Sequence, residues 1–413
     1  MTRTNPSAAA RSKRCAERGW GSERPKGICH FRIAAYSRWA RICLLPMAVL
    51  LISAGCEPDG MAPSAGPDVR TTLGGEQSQG YAVALKPRAF DFPADHGPHP
   101  DFRNEWWYWT GNLTSTAGQD FGYQLTVFRT AVSPHDADTG SAWRTRQVYM
   151  AHFAISDITN KRHRSFERFA RGALGLADAR ASPFRVWVED WQIEGAADTT
   201  FPLRLRATQE AVSLDLELSP THGPILQGNA GLSAKGDEPG NASYYYSYTR
   251  MDTRGSITID GEKYDVTGLS WFDREWSTSA LGPNRTGWDW FALQLNDGRD
   301  LMFYRLRLSQ GGMAPESAGV LVQADGSYRA LAEGDVELEP IAHWVSPETG
   351  DRYPIEWRLR LPEEGLDLTI ESRFDDQEMR LTFGYWEGAV QVSGSATGLG
   401  YLEMTRYTDA APD

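Results

Sequence analysis

The stretch Asp101-Phe-Arg-Asn-Glu-Trp-Trp-Tyr-Trp-Thr-Gly-Asn-Leu113 decides the interpretation of the fold, because five consecutive residues in it hold three tryptophans, a tyrosine and a carboxylate. Side chains of a β-strand alternate between its two faces, so Glu105, Trp107 and Trp109 share one face and the two aromatic residues between them share the other. Such aromatic density is unusual for a strand that faces water. The rest of the chain is therefore interpreted around this segment.

A second stretch, Gly287-Trp-Asp-Trp-Phe-Ala-Leu-Gln-Leu295, opens with the same Trp-x-Trp pattern. The similarity continues into the segments that follow, which begin Gly118-Gln-Asp120 and Gly298-Arg-Asp300. The offset between the two copies is 181 residues for the tryptophan pairs and 180 residues for the aspartates. This agreement indicates an internal duplication that gives two similar β domains.

Composition is that of a globular protein with room for two domains: 413 residues, 41% hydrophobic, 11% aromatic and 23% charged. Residues 1 to 55 hold 10 of the 42 Lys and Arg and 2 of the 54 Asp and Glu, so the remainder carries 32 basic and 52 acidic residues, a formal charge of −20. A body this acidic lacks the basic surface that phosphate binding requires. No nucleic-acid partner is predicted.

The N-terminal segment has the features of an export signal. Basic residues end at Arg41, an apolar run follows from Ile42 to Ala54, and Ser53-Ala-Gly-Cys56 closes it. We predict a signal and lipobox segment over residues 1–56, with Cys56 lipidated and the protein exported and anchored on the periplasmic side of a bacterial membrane. A plain secretory signal with an incidental cysteine is the alternative.

The segment after Cys56 differs from the rest of the chain. Residues 57–87 are rich in Gly, Pro, Ser and Asp without hydrophobic periodicity, and we predict a flexible tether there. No cysteine follows Cys56, so the body of the protein has no disulfide and no thiolate metal ligand.

From Arg88 onward, apolar and polar residues alternate in many short runs separated by turn residues, and no segment keeps a helical period. This pattern predicts an all-β protein. About eight strands per repeat, with no helices to cover a sheet face, favour closed antiparallel barrels over open sheets. We predict two tandem barrels, over residues 88–279 and 280–410.

The strongest candidate for acid–base chemistry is the segment Trp271-Phe-Asp-Arg-Glu-Trp276, in which Trp271, Asp273 and Glu275 share one strand face. Two carboxylates on one face raise each other's pKa, as a general acid or base requires. The alternative is that both acids are exposed to solvent or form salt bridges.

Several further residues are candidates for a cavity, each with a structural alternative. Glu105 beside Trp107 and Trp109 is either a carboxyl group with a raised pKa in an aromatic cavity or the partner of a buried arginine such as Arg129. His152 alternates with small residues and indicates either a polar site beside a cavity or a structural hydrogen bond. The other cavity candidates are Asp289, which lies between two tryptophans on the opposite face from both, together with Tyr304 and the tyrosines of the run 244–248, among them Tyr246 and Tyr248.

Neither a metal nor a cofactor is predicted. His96-Gly-Pro-His99 is a histidine pair in a Pro/Gly loop without a third ligand. The chain has no P-loop and no dinucleotide-binding fingerprint, and it lacks the Gly-x-Ser-x-Gly segment of α/β-hydrolases.

Five ordered motifs resemble the bacterial AttH/carotenoid 1,2-hydratase (hydroxyneurosporene synthase) family. The resemblance covers about residues 88 to 407, and it implies two lipocalin-like β-barrels. The motifs are Glu105-Trp-Trp-Tyr-Trp-Thr-Gly-Asn-Leu113, Met150-Ala-His-Phe153, Tyr244-Tyr-Tyr-Ser-Tyr-Thr-Arg250, Ser270-Trp-Phe-Asp-Arg-Glu-Trp276 and Gly287-Trp-Asp-Trp-Phe291.

The resemblance also implies a function. Family members include enzymes that add water to the terminal double bond of acyclic carotenoids, and lipoproteins associated with ABC-transporter permeases. By this resemblance Asp273 is the expected acid, supported by Glu275, His152 and Tyr248. The alternative is a non-catalytic protein that binds a lipid or another hydrophobic ligand for a transporter permease.

Overall fold

Two antiparallel sheets form the architecture of the computed structural model, which describes residues 79–135, 140–196, 199–279, 281–282 and 284–407. The predicted signal segment, Cys56 and the tether up to residue 78 lie outside the described residues. The first sheet contains β1 (Asn104–Ser115), β2 (Asp120–Ala131), β3 (Gln147–Asp157), β4 (Arg162–Arg171), β5 (Ala177–Ala181), β6 (Phe184–Val188), β7 (Trp191–Glu194), β8 (Leu203–Gln209), β9 (Val212–Pro220), β10 (Ile225–Leu226), β11 (Leu232–Ala234), β12 (Ala242–Ile259) and β13 (Glu262–Ser277).

The second sheet begins after a short connection. It contains β14 (Arg285–Leu295), β15 (Asp300–Leu308), β16 (Ala318–Val322), β17 (Tyr328–Ala332), β18 (Glu337–Val345), β19 (Arg352–Leu361), β20 (Leu366–Ser372), β21 (Glu378–Met379), β22 (Tyr385–Gly394) and β23 (Gly398–Thr405). The described residues include 3-10 turns at Ala94–His96, Glu333–Asp335 and Pro362–Glu364 but no α-helix. None of the described segments is a helix long and apolar enough to cross a membrane.

The strand order is similar in the two sheets. It runs β4-β3-β2-β1-β13-β12-β9-β8-β7-β6-β5 in the first and β17-β16-β15-β14-β23-β22-β20-β19-β18 in the second. Each sheet therefore places its first strand between the second and the last. Both sheets are barrel-like, one nearly closed and the other a half-barrel, so the predicted all-β, two-barrel fold is confirmed.

Each sheet surrounds its own apolar core, built from alternating residues of its strands that face inward. Trp107 and Trp109 of β1 are fully buried in the first core, where the ring of Trp109 stacks on that of Phe272 at 4.5 Å. Phe291 of β14 and Trp357 of β19 are fully buried in the second core. The side chains of each sheet thus fill its interior.

A third apolar cluster joins the outer faces of the two sheets. It includes Tyr108 and Trp271 from the first sheet and Trp290 and Tyr304 from the second. At one edge of this contact, Asn112 Nδ2 donates to the Gly400 carbonyl at 3.0 Å, and Gln294 Nε2 donates to the Ser270 carbonyl at 3.1 Å. These bonds connect the two sheets directly.

The Trp-x-Trp pairs of the two repeats face different surroundings. Trp107 points into the first barrel, whereas Trp288 and Trp290 point out of the second barrel. The sequence offsets of 181 and 180 differ by one residue, and a shift of one residue in a strand exchanges its two faces. The two repeats therefore share a strand order, but Trp107 points into its barrel and Trp288 points out of its own.

Candidate functional site

A cavity lies between the outer faces of the two sheets. Its volume is about 120 Å³, which is several times the space that one water molecule needs. Aromatic side chains dominate the walls, and four carboxyl groups and one lysine interrupt them. The lining residues are Trp106, Tyr108, Thr126, Phe128, Met150, His152, Lys235, Tyr245, Asp273, Glu275, Ser277, Ser279, Leu281, Trp288, Trp290, Tyr304, Leu306, Phe383, Tyr385, Glu387, Glu403 and Thr405.

The wall from the first sheet consists of two rows of cross-strand neighbours. In one row His152 pairs with Thr126, Thr126 with Tyr108, and Tyr108 with Asp273. The adjacent row on the same face is Met150, Phe128, Trp106, Glu275 and Tyr245. The register of β3, β2, β1, β13 and β12 therefore brings residues from distant parts of the sequence onto one surface.

Asp273 is 3% exposed and accepts hydrogen bonds from uncharged donors. Ser247 Oγ and Trp271 Nε1 donate to its Oδ1 at 2.5 and 2.7 Å, and the Tyr245 hydroxyl donates to its Oδ2 at 2.5 Å. Burial raises the pKa of Asp273 to about 7, although these hydrogen bonds oppose the shift. The carboxyl group is therefore available as a proton donor near neutral pH.

Glu275 is the second carboxylate on this wall, and a lysine neutralises it. Lys235 Nζ lies 3.2 Å from Glu275 Oε1 and 4.2 Å from the centre of the Tyr304 ring. Burial lowers the pKa of Lys235, but Glu275, Tyr304 and Asp273 together outweigh burial and leave that pKa raised. Among the described residues that line the cavity, Lys235 is the only Lys or Arg.

The second sheet contributes another pair of carboxyl groups. Trp288 Nε1 donates to Glu403 Oε1 at 2.7 Å, and the Tyr108 hydroxyl donates to Glu387 Oε1 at 2.7 Å. Burial raises the pKa of Glu403 to about 7. Burial, reinforced by the charge of Glu403, raises the pKa of Glu387 well above its usual value.

His152 connects the two walls. Its Nδ1 lies 2.8 Å from the hydroxyl of Tyr385 on β22. The imidazole is 1% exposed, and burial lowers its pKa to about 3. His152 is therefore neutral at physiological pH. It lines the cavity and also forms a structural hydrogen bond, so the two alternatives for this residue hold together.

Glu105 does not line the cavity, which corrects its prediction as a cavity residue. It points into the first barrel and forms ion pairs with Arg129 and Arg274, whose side chains are also fully buried. Burial alone raises the pKa of Glu105, but the two arginines outweigh it and hold that pKa well below its usual range. Glu105 is therefore the partner of buried arginines, as its structural alternative predicted.

Asp289 is likewise inside a barrel instead of at the cavity. Arg305 Nε and Arg307 Nη1 contact its two carboxylate oxygens at 2.7 and 2.6 Å, and the Tyr407 hydroxyl donates to it at 2.8 Å. Burial raises the pKa of Asp289, but the arginines outweigh it and lower that pKa.

The aromatic candidates divide according to the strand face they occupy. Trp107, Trp109, Tyr246 and Tyr248 belong to the first barrel core, because they share the inward face of their strands. Trp271 lies on the outer face, where its indole holds Asp273. Of the predicted cavity residues, Tyr304 lines the cavity, as do the predicted catalytic residues Asp273, Glu275 and His152.

Other functional residues were absent from the sequence prediction. Trp106 and Tyr108 lie on the other face of β1 from Trp107, so the alternation of side chains could have identified them. Lys235 lies in a loop, and Glu387 and Tyr385 lie on a strand from the other repeat. No local motif connects these three to Asp273.

The histidine pair in the Pro/Gly loop belongs to the first barrel. His96 Nδ1 lies 2.6 Å from the Tyr246 hydroxyl, and His99 Nε2 lies 3.0 Å from Asp95. Within the described part of the chain, no group of three or more His, Cys, Asp or Glu side chains could hold a metal ion.

The fold and the cavity define a class of proteins with two antiparallel barrels and a polar, aromatic-lined site between them. The sequence matches the family model described as AttH-like over residues 83–407, and the chain belongs to the AttH-like family. This confirms the family resemblance identified from the motifs.

Solved structures show the same architecture. A crystal structure of an AttH-type protein from Nitrosomonas europaea is 36% identical, with a TM-score of 0.71, and the match covers 79% of this chain and 100% of that one. Kievitone hydratase from Nectria haematococca is 17% identical, with a TM-score of 0.59 and coverage of 80% and 97%, and it shares the fold. No curated protein matches the sequence.

Proposed function

We propose that this protein is an enzyme of the hydratase type that adds water to a carbon–carbon double bond of an apolar, isoprenoid substrate of the carotenoid kind. One observation carries the proposal: Asp273 is buried at the cavity, has no arginine partner, and has a pKa raised to about 7. A carrier would need only an apolar cavity, and carboxyl groups serving structure alone would be paired with arginine, as Glu105 and Asp289 are.

The chemistry follows from the groups around Asp273. Its carboxyl proton is transferred to one alkene carbon, and the π electrons form the new C–H bond and leave a tertiary carbocation on the other carbon. Trp106, Trp288 and Trp290 line the cavity, and their indole rings are proposed to stabilise this positive charge. A water molecule then adds through its oxygen and releases a proton, which returns Asp273 to its acid form.

The surroundings of Asp273 are suited to this cycle. Tyr245, Ser247 and Trp271 hold the carboxylate that forms after proton transfer, while burial favours the neutral acid before it. Glu275 lies in the adjacent row and is the group proposed to orient the attacking water. The fold shared with a kievitone hydratase supports a hydration reaction for this architecture.

The location proposed for this activity is the periplasmic side of a bacterial membrane, with the protein anchored through lipidated Cys56. A membrane dissolves isoprenoid molecules, so an anchor would hold the enzyme beside its apolar substrate. The hydrophobic substrate is the proposed partner. The competing proposal is a non-catalytic protein that binds a lipid for an ABC-transporter permease. Bound lipid without any hydrated product would support this alternative.

The test incubates the full-length protein, purified in mild detergent, with a panel of acyclic carotenoids and shorter isoprenoid alkenes in ¹⁸O-labelled water. Mass spectrometry detects hydroxylated product that carries the label. Asp273→Asn keeps the size of the side chain but removes the transferable proton, and product formation is expected to fall about 10²- to 10⁴-fold. Asp265→Asn is the matched control on β13, because its side chain is 74% exposed.

The pH dependence provides a second readout. Only the protonated form of Asp273 can donate, so the rate is expected to fall as pH rises through about 7. Unlabelled product would exclude hydration by solvent water. Absence of product, with lipid bound equally by the wild type and by Asp273→Asn, would make the protein a carrier.

A further inference from the structure

Four buried polar atoms of cavity-lining residues have no hydrogen-bond partner among the described residues, and two of them are Ser277 Oγ and Glu275 Oε1, the latter ion-paired with Lys235. The other two are His152 Nε2 and Glu387 Oε2. Both side chains are 1% exposed, and both line the cavity. A buried polar atom without a partner destabilises the fold, and native proteins rarely keep one without reason. A molecule bound in the cavity can supply the missing hydrogen-bond partners.

The surroundings of His152 determine what its Nε2 can do. The Tyr385 hydroxyl has a single proton, and two neighbouring groups can share it: His152 Nδ1, which lies 2.8 Å away, and the carboxyl group of Glu387. If Tyr385 donates that proton to Glu387, its oxygen accepts from His152 Nδ1–H. A neutral imidazole protonated on Nδ1 leaves Nε2 as a hydrogen-bond acceptor.

Glu387 complements this acceptor. Its Oε1 accepts from the Tyr108 hydroxyl at 2.7 Å, which leaves Oε2 as the position for the carboxyl proton. In its neutral form Glu387 is therefore a hydrogen-bond donor through Oε2. An acceptor from the first sheet and a donor from the second, both at the cavity, match a hydroxyl group, which can donate to the former and accept from the latter.

We propose that His152 Nε2 and Glu387 Oε2 form a hydroxyl-binding subsite of the cavity. This inference rests on the proposed function of the same site and specifies its ligand: an O–H group belonging either to the substrate or to the water used in hydration. Tyr108 ties the subsite to the proton donor, because it is the cross-strand neighbour of Asp273 and donates to Glu387. A substrate bound here would be an isoprenoid alcohol instead of a pure hydrocarbon.

The first test needs neither a substrate nor activity. In ¹⁵N NMR spectra of the full-length protein in detergent, His152 is expected to be neutral and protonated on Nδ1, with Nε2 unprotonated. His152→Phe assigns the signal among the 8 histidines. His163 is the internal control, because its Nδ1 lies 2.9 Å from Ser156 Oγ and its Nε2 lies 3.3 Å from Met379 Sδ. Protonation of His152 on Nε2 would overturn the proposal.

The second test identifies the source of the hydroxyl group. Binding of farnesol and of farnesene, a hydrocarbon with the same skeleton, is followed through the fluorescence of the cavity tryptophans. The ratio of the farnesene to the farnesol dissociation constant is expected to fall about tenfold in His152→Phe, as loss of one hydrogen bond predicts. Phe differs little from His in shape, and Glu387→Met, which keeps the side-chain length but removes the donor, provides a second variant.

The two sources give different results. A substrate hydroxyl group changes the ratio of dissociation constants, whereas a bound water leaves the ratio unchanged and lowers the hydration rate of both alcohol and hydrocarbon. No change in either quantity in both variants overturns the subsite. Repeating the binding measurement in Asp273→Asn separates the two proposals, because failure of hydratase activity leaves the selectivity of binding intact.

Discussion

Glu105 and Asp273 lie on neighbouring strands of one sheet, are both buried, and differ in almost every other respect. Glu105 faces the barrel interior between Arg129 and Arg274, and its pKa is held low. Asp273 faces the cavity among hydroxyl and indole donors, and its pKa rises to about 7. The difference teaches that the chemical class of the partners, more than burial, decides whether a carboxyl group serves the fold or remains available for chemistry.

The second sheet repeats the contrast. Asp289 faces inward and is paired with Arg305 and Arg307, whereas Glu387 and Glu403 face the cavity and accept from neutral tyrosine and tryptophan groups. Both repeats therefore use an arginine-paired acid inside the barrel and uncharged donors at the cavity. Four substitutions test this division.

The largest effect on stability is expected for Glu105→Gln, which leaves two buried arginines without a counter-charge. We expect the free energy of unfolding to fall by about 3 to 5 kcal/mol, measured by urea denaturation. Glu371→Gln, at an exposed position on β20, is the control and should change it by less than about 0.5 kcal/mol. A loss below about 1 kcal/mol for Glu105→Gln would show that the pairing of Glu105 with arginine does not stabilise the fold.

A smaller loss is expected for Asp289→Asn. The side chain of Arg305 is 15% exposed and can reach water when its partner is removed, unlike the fully buried Arg274. We expect a loss of about 2 to 4 kcal/mol in the same measurement. If Asp289→Asn costs more than Glu105→Gln, partial exposure of the arginine does not moderate the effect.

For Asp273→Asn the expected signature is a dependence on pH. Burial raises the folded-state pKa of Asp273 from its usual value of 3.8 to about 7, so the folded protein binds an additional proton between these pH values. The stability of the wild type relative to the variant is therefore full below about pH 4 and declines by roughly 1 kcal/mol per pH unit up to about pH 7. Denaturation curves collected from pH 4 to 8 test this, with Asp265→Asn as the control. Parallel pH profiles for wild type and Asp273→Asn would mean that Asp273 is charged throughout.

The smallest effect is expected for Trp288→Phe, which removes the indole donor that lies 2.7 Å from Glu403. Loss of one hydrogen bond should cost about 1 kcal/mol. The pKa of Glu403 should rise further, because this bond opposes the effect of burial. Carbon NMR of labelled glutamate carboxyl groups follows the titration, and Trp344→Phe, outside the cavity lining, is the control. An unchanged Glu403 pKa would show that the indole does not influence the carboxyl group.

The sequence could predict which residues share a strand face but not which face would be inside a barrel. Alternation correctly grouped Glu105 with Trp107 and separated Asp289 from Trp288, and the many short strands correctly indicated two β-barrels. Most of the predicted cavity residues belong to the first repeat, yet the structure places the cavity between the two sheets. The closure of the sheet decides which face of a strand points into the barrel. Closure depends on pairs of strands far apart in the sequence, such as β1 and β13.

The polar residues of the second repeat were hidden for the same reason. Glu387 and Tyr385 meet Tyr108 and His152 only because the two sheets pack through their outer faces. Their separations of 279 and 233 residues exceed the range of any local motif.

Strand β1 contains two sets of alternating residues, and each set has its own structural role. Its odd-numbered residues from 105 to 109 fill the barrel interior, while Trp106 and Tyr108 line the cavity. An engineer can therefore vary the cavity positions to alter substrate preference without repacking a barrel core. Selection could likewise have diversified ligands within one unchanged scaffold by substituting every second residue of a few strands.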